Sequence, residues 1–437
     1  MIKIKRWYSD DIVAFYYSDI GSKIQSALKD DEITYLHFGN VKHTINLFDL
    51  LTMPLSEIKK QYEGIGLYMY LCELRNYKDK PGKEILKMLS ECNSSVKKID
   101  DNHYSIKDIR ELSNVTFNKN NTVADNRLRY IRKYIIERIG DFNVDVYNEI
   151  VSNHSNYATN TSNWNEIIDY IIDSIDRCLA PNGLIIHNKK RAPYAEQTYV
   201  IHYRLMNHEL RSRLISSLGL TTCPYCNRQY ITNISEDEIG NINTENKEII
   251  ATADLDHFYP KSVYPLFALS LFNYIPSCQI CNSKFKHSSS RCILYPYEEG
   301  FEDKVLFKLA VKDTKDNNEL LKYWMGLLDP DFFYLQLVFN HNYNIDDDYV
   351  LRAKGSIEMF HLRNAYQCHI SKAIDTVLKK RIFFEGAYEN CIRDFLSRIE
   401  IPYSDSLLKR MILGYDWDTD EFDEPLSKFI YDIFNYE

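Results

Sequence analysis

CPYCNRQY (Cys223 to Tyr230) opens a stretch that passes through ADLDHFYPKSVYP (Ala253 to Pro265) and closes on LFNYIPSCQICNSKFK (Leu271 to Lys286). Two CxxC pairs, Cys223/Cys226 and Cys278/Cys281, decide how it is read. A CxxC turn presents two sulfurs to one ion, and tetrahedral zinc favours four thiolates, so two such turns make a closed structural site. The interval between the pairs is longer than in compact zinc ribbons, so spacing alone is not decisive. A redox CxxC is one alternative; it needs a single reactive pair in a thioredoxin-like βαβ context. Unrelated buried cysteines are the other. Four paired thiolates in a chain with no secretory leader favour Zn2+.

Between the knuckles lies DLDH. Ile249 to Leu255 is β-prone, and the FYP that follows stops a strand. Neighbouring residues at a strand end point to different sides, so Asp256 faces a metal if His257 faces a water. A hard divalent ion takes carboxylate and amide oxygens. A hydrolytic site also needs a neutral imidazole within reach of the attacking water. An Asp-His pair alone is weak, because most histidines are ordinary surface or core groups. The tail strengthens it. Asn273 and Asn282 follow in order, and Asn282 directly follows Cys281. QICNSKFK contains no breaker and reads as a short helix with Asn282 in its first turns. The zinc would lock a strand, a second strand around Asn273 to Ser277 and this helix into one ββα unit.

CPYC, DLDHFYPKS, FNYIPSC and CNSKFK, in that order, resemble the HNH endonuclease family in its zinc-knuckle form. The resemblance covers residues 223 to 286 and implies a ββα-metal fold. It implies that His257 is the general base that activates water and that Asn273 orients the histidine loop. It implies that Asp256 and Asn282 bind one catalytic Mg2+ or Mn2+. The last motif position is often His in the family; Asn282 here leans the site toward magnesium and away from zinc. YPLFALSLFNYIPSC and the later IEMFHLRNAYQCHISKAIDTVLKKR look like nucleases of bacterial anti-phage defence, of the Septu and retron-associated sort. Those nucleases work beside an ATPase, which implies an ATPase or sensor partner.

The remainder is expected to be scaffold and partner surface. With 437 residues, 45% of them hydrophobic, the chain is long enough for two or three domains. The expected class is α+β, mainly helical, with helical N- and C-terminal regions around the central core. The expected division is 1–190 (mainly helical, after an initial β-hairpin), 191–300 (nuclease core with zinc knuckles) and 301–437 (mixed, then helical). No apolar run approaches the length of a membrane span, and Asp10 and Asp11 interrupt any leader core, so a reducing cytoplasm is expected. A net charge of −9 excludes nucleic-acid binding through bulk charge and requires a local basic patch. Residues 187 to 228 supply one. Lys189, Lys190, Arg191, Arg211 and Arg213 stand out there as phosphate contacts, with HNKKR as a hinge.

Elsewhere, ITYLHF and VKHTINLF flank Gly39-Asn40 as a hairpin. A helical pattern runs from Pro54 to Tyr77, and others cover DNRLRYIRKYIIERIGDF and WNEIIDYIIDSIDRCLA. NKNNT (118 to 122) reads as a linker. VLFKLAV and YLQLVFN look like strands, Asp346 to Asp348 like a hairpin loop, and Gly355 to Phe384 like one long helix. The acidic aromatic C-terminus docks either on its own chain or on a partner.

The favoured function is a metal-dependent phosphodiesterase acting on DNA. The same chemistry on RNA is a second reading, because such a site reads phosphate and not sugar. A zinc-stabilised binding module without catalysis is a third. It predicts loss of the histidine or of the hard ligands, and all are present.

Overall fold

Helices alternate with short antiparallel strand pairs along the computed structural model. It describes residues 1–26, 28, 31–77, 82–92, 96–99, 103–106, 115–116, 126–154, 161–179, 201–235, 249–312, 333–384, 387–399 and 423–436, with 404, 408, 410 and 412–415 between them. NKNNT, HNKKR and the acidic run 416–422 lie outside the described residues.

The first hairpin forms as its alternation requires. Glu32–Phe38 pairs with Val41–Asn46, with a register shift between Thr34 and Leu36. Gly39 in the turn has φ +53°, a left-handed conformation that costs glycine least. The pattern after Pro54 is interrupted. It yields Leu55–Gln61 and Ile65–Asn76, and Gly64 between them has φ +85°. Helices Asn126–Phe142 and Thr161–Leu179 also form, the first burying Ile131, Ile135 and Ile139. Arg75 and Asp176 make a buried ion pair at 2.9 Å that ties Ile65–Asn76 to Thr161–Leu179.

Two readings of the C-terminal half are corrected. Asp346 to Asp348 is a helix start and not a hairpin loop. Asp346 caps Asp347–Met359 by accepting from the Tyr349 N–H at 2.6 Å, and the other two carboxylates sit in its first turn. The long helix is three: Asp347–Met359, Leu362–Gln367 and Ile370–Phe383. The first break falls at His361, whose φ of +48° no helix accommodates. The expected strands pair in full, Val305–Val311 with Phe333–Phe339.

Packing crosses the borders expected at 190 and 300. One cluster of buried apolar side chains extends from Met1 to Ile433. The Tyr16 hydroxyl donates to the Leu269 carbonyl, and the Ser270 hydroxyl to the Leu50 carbonyl, each at 2.6 Å. Helix Asp347–Met359 lies directly on the segment that follows the second knuckle. A Cβ on Gly355 would fall 1.9 Å from the Cys292 carbonyl oxygen, so only glycine allows that approach.

Both ends of the chain reach the first knuckle. The Ile2 N–H donates to Pro224 O at 2.9 Å and the Ile4 N–H to Pro296 O at 2.7 Å. The C-terminal helix Ser427–Tyr436 packs on Val305–Val311, so the tail docks on its own chain. Its Lys428 and Asp432 form a buried ion pair, and Asp432 also accepts from the Phe307 N–H at 3.0 Å. Asn227, one residue past Cys226, holds this end: its carbonyl accepts from Leu426 N–H, its amide oxygen from Lys428 N–H, and its amide nitrogen donates to Glu424 O.

Candidate active site and metal centre

The four knuckle cysteines converge. Their sulfurs are buried and all lie within 4.8 Å of one another, with Cys226 and Cys278 at 4.0 Å. Tetrahedral Zn–S bonds of about 2.3 Å place sulfurs about 3.8 Å apart, so the cluster fits a zinc ion with a small contraction. Backbone turns build it. The Asn227 N–H donates to Cys223 O at 2.7 Å, and the Asn282 N–H to Cys278 O at 3.0 Å. Hydrogen bonds from Cys223, Cys226 and Cys281 hold the Cys278 thiol far below its usual range, while burial holds Cys223 far above it. Four sulfurs this close cannot all ionise without a cation between them.

The sequence between the knuckles forms a strand pair. Asp254–His257 runs antiparallel to Tyr274–Ser277, with Asp256 opposite Ile275 and His257 opposite Tyr274. A seven-residue π-helix, Ile280–Lys286, follows from the second knuckle. It faces the Asp254 and Asp256 side of the first strand. Asn282 Nδ2 donates to Asp254 Oδ2 at 3.1 Å, and Lys286 Nζ lies 3.0 Å from both Asp256 oxygens.

Asp256 is only 2% exposed, and its carboxylate is fully engaged. Oδ2 also accepts from the Tyr225 hydroxyl at 2.6 Å. Tyr225 sits between the first two cysteines, so Asp256 joins the zinc knuckle to the strand. Lys286 donates further to the His257 carbonyl at 2.6 Å, which fixes the strand end. The hard oxygens expected to hold a divalent cation are therefore split. Asn282 is half-buried beside Asp254, which was not among the expected ligands, whereas Asp256 lies deeper under Lys286. In kind, these donors fit Mg2+ or Mn2+.

Removing one member of a buried ion pair leaves the other uncompensated, at about 3–5 kcal/mol. Asp256→Ala is therefore expected to destabilise the fold by about that amount in metal-free buffer, as read by urea unfolding, because Lys286 stays buried. The double change Asp256→Ala with Lys286→Met should recover most of the loss. A single variant as stable as the parent would show that the pair does not anchor the strand.

His257 lies on the other side of the strand end. Tyr203 and Tyr274 hold its ring edge-to-face, with centroids 4.7 and 5.1 Å away. Its Nε2 lies 3.1 Å from the Ala268 carbonyl oxygen. A carbonyl only accepts, so Nε2 carries the proton and Nδ1 keeps its lone pair. Burial and the positive charges of Lys261, Lys286 and Arg211 push His257 from its ordinary 6.5 down to about 3, against the Ala268 bond. The ring is thus neutral around pH 7.

Asn273 is fully buried and closes the loop after His257. Its Oδ1 accepts from the Tyr259 N–H at 2.8 Å, and its Nδ2 donates to Tyr259 O at 3.0 Å and Phe267 O at 2.8 Å. Its carbonyl also accepts from the Phe258 N–H at 2.8 Å.

The five basic residues separate. Lys189, Lys190 and Arg191 lie outside the described residues. Arg211 and Arg213 share the helix His208–Leu218. The Arg213 guanidinium lies over the Phe15 ring at 3.7 Å, whereas the charge of Arg211 acts on His257. Sequence reasoning passed over Tyr203, Tyr225, Asp254, Lys261 and Lys286. Asp254 carried a signal, since it alternates with Asp256 on one strand face. Tyr203 and Tyr225 carried none, because their partners are distant in sequence.

Among the described residues, no helix is long and apolar enough to cross a membrane. No family model, curated protein or solved structure matches this chain.

Proposed function

We propose that this protein is a metal-dependent HNH-type endonuclease that hydrolyses DNA phosphodiester bonds. The observation that carries the reading is the state of His257: a neutral imidazole, its tautomer set by Ala268 and its ring held by two tyrosines, at the end of a strand that bears hard oxygen donors on its other side. In hydrolysis the water oxygen bonds to phosphorus and its proton passes to His257 Nδ1. The P–O bond to the leaving sugar oxygen breaks, and that oxygen takes a proton from solvent. Asp254 and Asn282 would hold the divalent ion, which when bound polarises the phosphate and stabilises the leaving oxygen, while Asp256, paired with Lys286, fixes the strand behind them. Asn273 keeps the His257 loop in place. An arriving phosphate offsets the cations that depress His257 and so raises its affinity for the proton.

Supercoiled DNA, linear duplex, single strands and RNA, each with Mg2+, Mn2+ or chelator, test the proposal. DNA is expected to be cut with either ion and spared by chelator. Cleavage of RNA alone would establish the RNA reading. Zinc-loaded protein that binds nucleic acid and never cuts it would establish the binding module. The motif likeness extends the proposal to an effector role in bacterial anti-phage defence beside an ATPase or sensor. Co-purification with the products of adjacent genes tests that extension.

A further inference from the structure

We propose that Arg211 and Lys261 form the seat for the scissile phosphodiester beside His257. This rests on the nuclease reading and names the groups that grip the substrate. Arg211 Nε is buried and meets no acceptor among the described residues. An unmet buried donor costs about 1–3 kcal/mol, and more when charged, so a fold that keeps one calls for an explanation such as a ligand that supplies the acceptor. Lys261 is exposed, and its ammonium lies 3.9 Å from the centroid of the Tyr203 ring with no carboxylate partner among the described residues. The same Tyr203 ring packs edge-on against His257 at 4.7 Å. One ring therefore brings Lys261 to the histidine, and the positive charge of Arg211 acts on that histidine as well.

Four other cations have partners. Lys286 is paired with Asp256, Lys59 donates to the Tyr259 hydroxyl at 2.6 Å, Arg213 covers Phe15, and Arg228 donates to His369 Nε2 at 3.2 Å. Arg211 with its unmet Nε and Lys261 with no carboxylate among the described residues can each take an anion. The Arg fork suits two phosphate oxygens, and Lys acts as a point charge. As water adds to phosphorus, negative charge grows on the non-bridging oxygens. Two cations aimed at them stabilise the transition state more than the bound substrate.

The test compares the parent with Lys261→Gln, Arg211→Gln, Lys261→Arg and His257→Ala. A labelled DNA duplex and a labelled RNA are titrated by fluorescence anisotropy in chelator across a KCl series. Cleavage is then followed under single turnover with Mg2+. Each Gln variant is expected to cut about 10²–10³-fold more slowly. Each should lower the salt slope by about 1, as loss of one phosphate contact does. Lys261→Arg should regain most of the rate. Lys261 is exposed, so its Gln variant should fold, with zinc content as the check, even if Arg211→Gln does not. Parental rate and slope in Lys261→Gln and Arg211→Gln, with a parent that cuts, would overturn the seat and leave the nuclease reading standing. A parent that binds without cutting, with slopes that fall in the variants, would overturn the nuclease reading and keep the seat. A parent that neither binds nor cuts DNA or RNA would overturn both.

Discussion

Cys278→Ser is expected to lose both its zinc and most of its folded yield. A structural ion held by four cysteines contributes folding free energy directly, about 10–16 kcal/mol in small zinc domains near pH 7. Here the ion would also carry long-range structure. Asp256 hangs on Tyr225 inside the first knuckle, the π-helix with Asn282 and Lys286 grows out of the second, and the C-terminal helix is bonded to Asn227. Chelation of the parent should therefore lower its thermal midpoint and expose the site to protease together with residues 427–436. Elemental analysis should find one zinc per chain in the parent. Well-folded protein with no zinc would sink the assignment.

His257→Ala is expected to slow cleavage by about 10²–10⁴-fold, the usual contribution of a positioned general base. DNA affinity and zinc content should stay at parental values, because the ring holds neither. His257→Gln, which keeps more of the ring's volume between Tyr203 and Tyr274, guards against a packing artefact. Stability against pH supplies a readout independent of cleavage. Burial and neighbouring cations hold His257 at about 3 in the fold, below its ordinary 6.5. A depressed pKa means the unfolded chain binds the proton first. Stability attributable to His257 is complete above about 6.5 and is lost as pH falls toward about 3. The Ala variant should therefore lose stability less steeply across that window. Cleavage at the parental rate would move the reaction centre elsewhere.

The elements around the site were legible because their signals are local. CxxC turns, a β-prone run stopped by FYP, and a breaker-free segment after Cys281 each specify a short piece of chain. The first hairpin was legible for the same reason. What local pattern cannot specify is which partner a side chain takes across the fold. Asp256 looked like an open metal ligand, yet Lys286 and Tyr225 engage it from two other elements. Arg211 and Arg213 were equal in the sequence. The charge of one acts on His257, and the other lies on Phe15. The long helix after Gly355 failed for a different reason. Its apolar spacing survives the break at His361, because a single left-handed residue turns the axis without altering composition.

The anchoring of residues 426–428 at the first knuckle bears on biosynthesis. A ribosome releases residues 223 to 286 well before Leu426 and Lys428, whose N–H groups bond to Asn227. During that interval the knuckle has its cysteines but lacks the helix that packs beside it. The contacts that complete it join residues far apart in the chain, which are the slowest kind to form. The nascent polypeptide thus carries every side chain of the proposed centre before it has the helix that is bonded to Asn227. The bonds from Leu426 and Lys428 to Asn227 can form only after this helix leaves the exit tunnel, and a message cut short before it yields a chain without that latch.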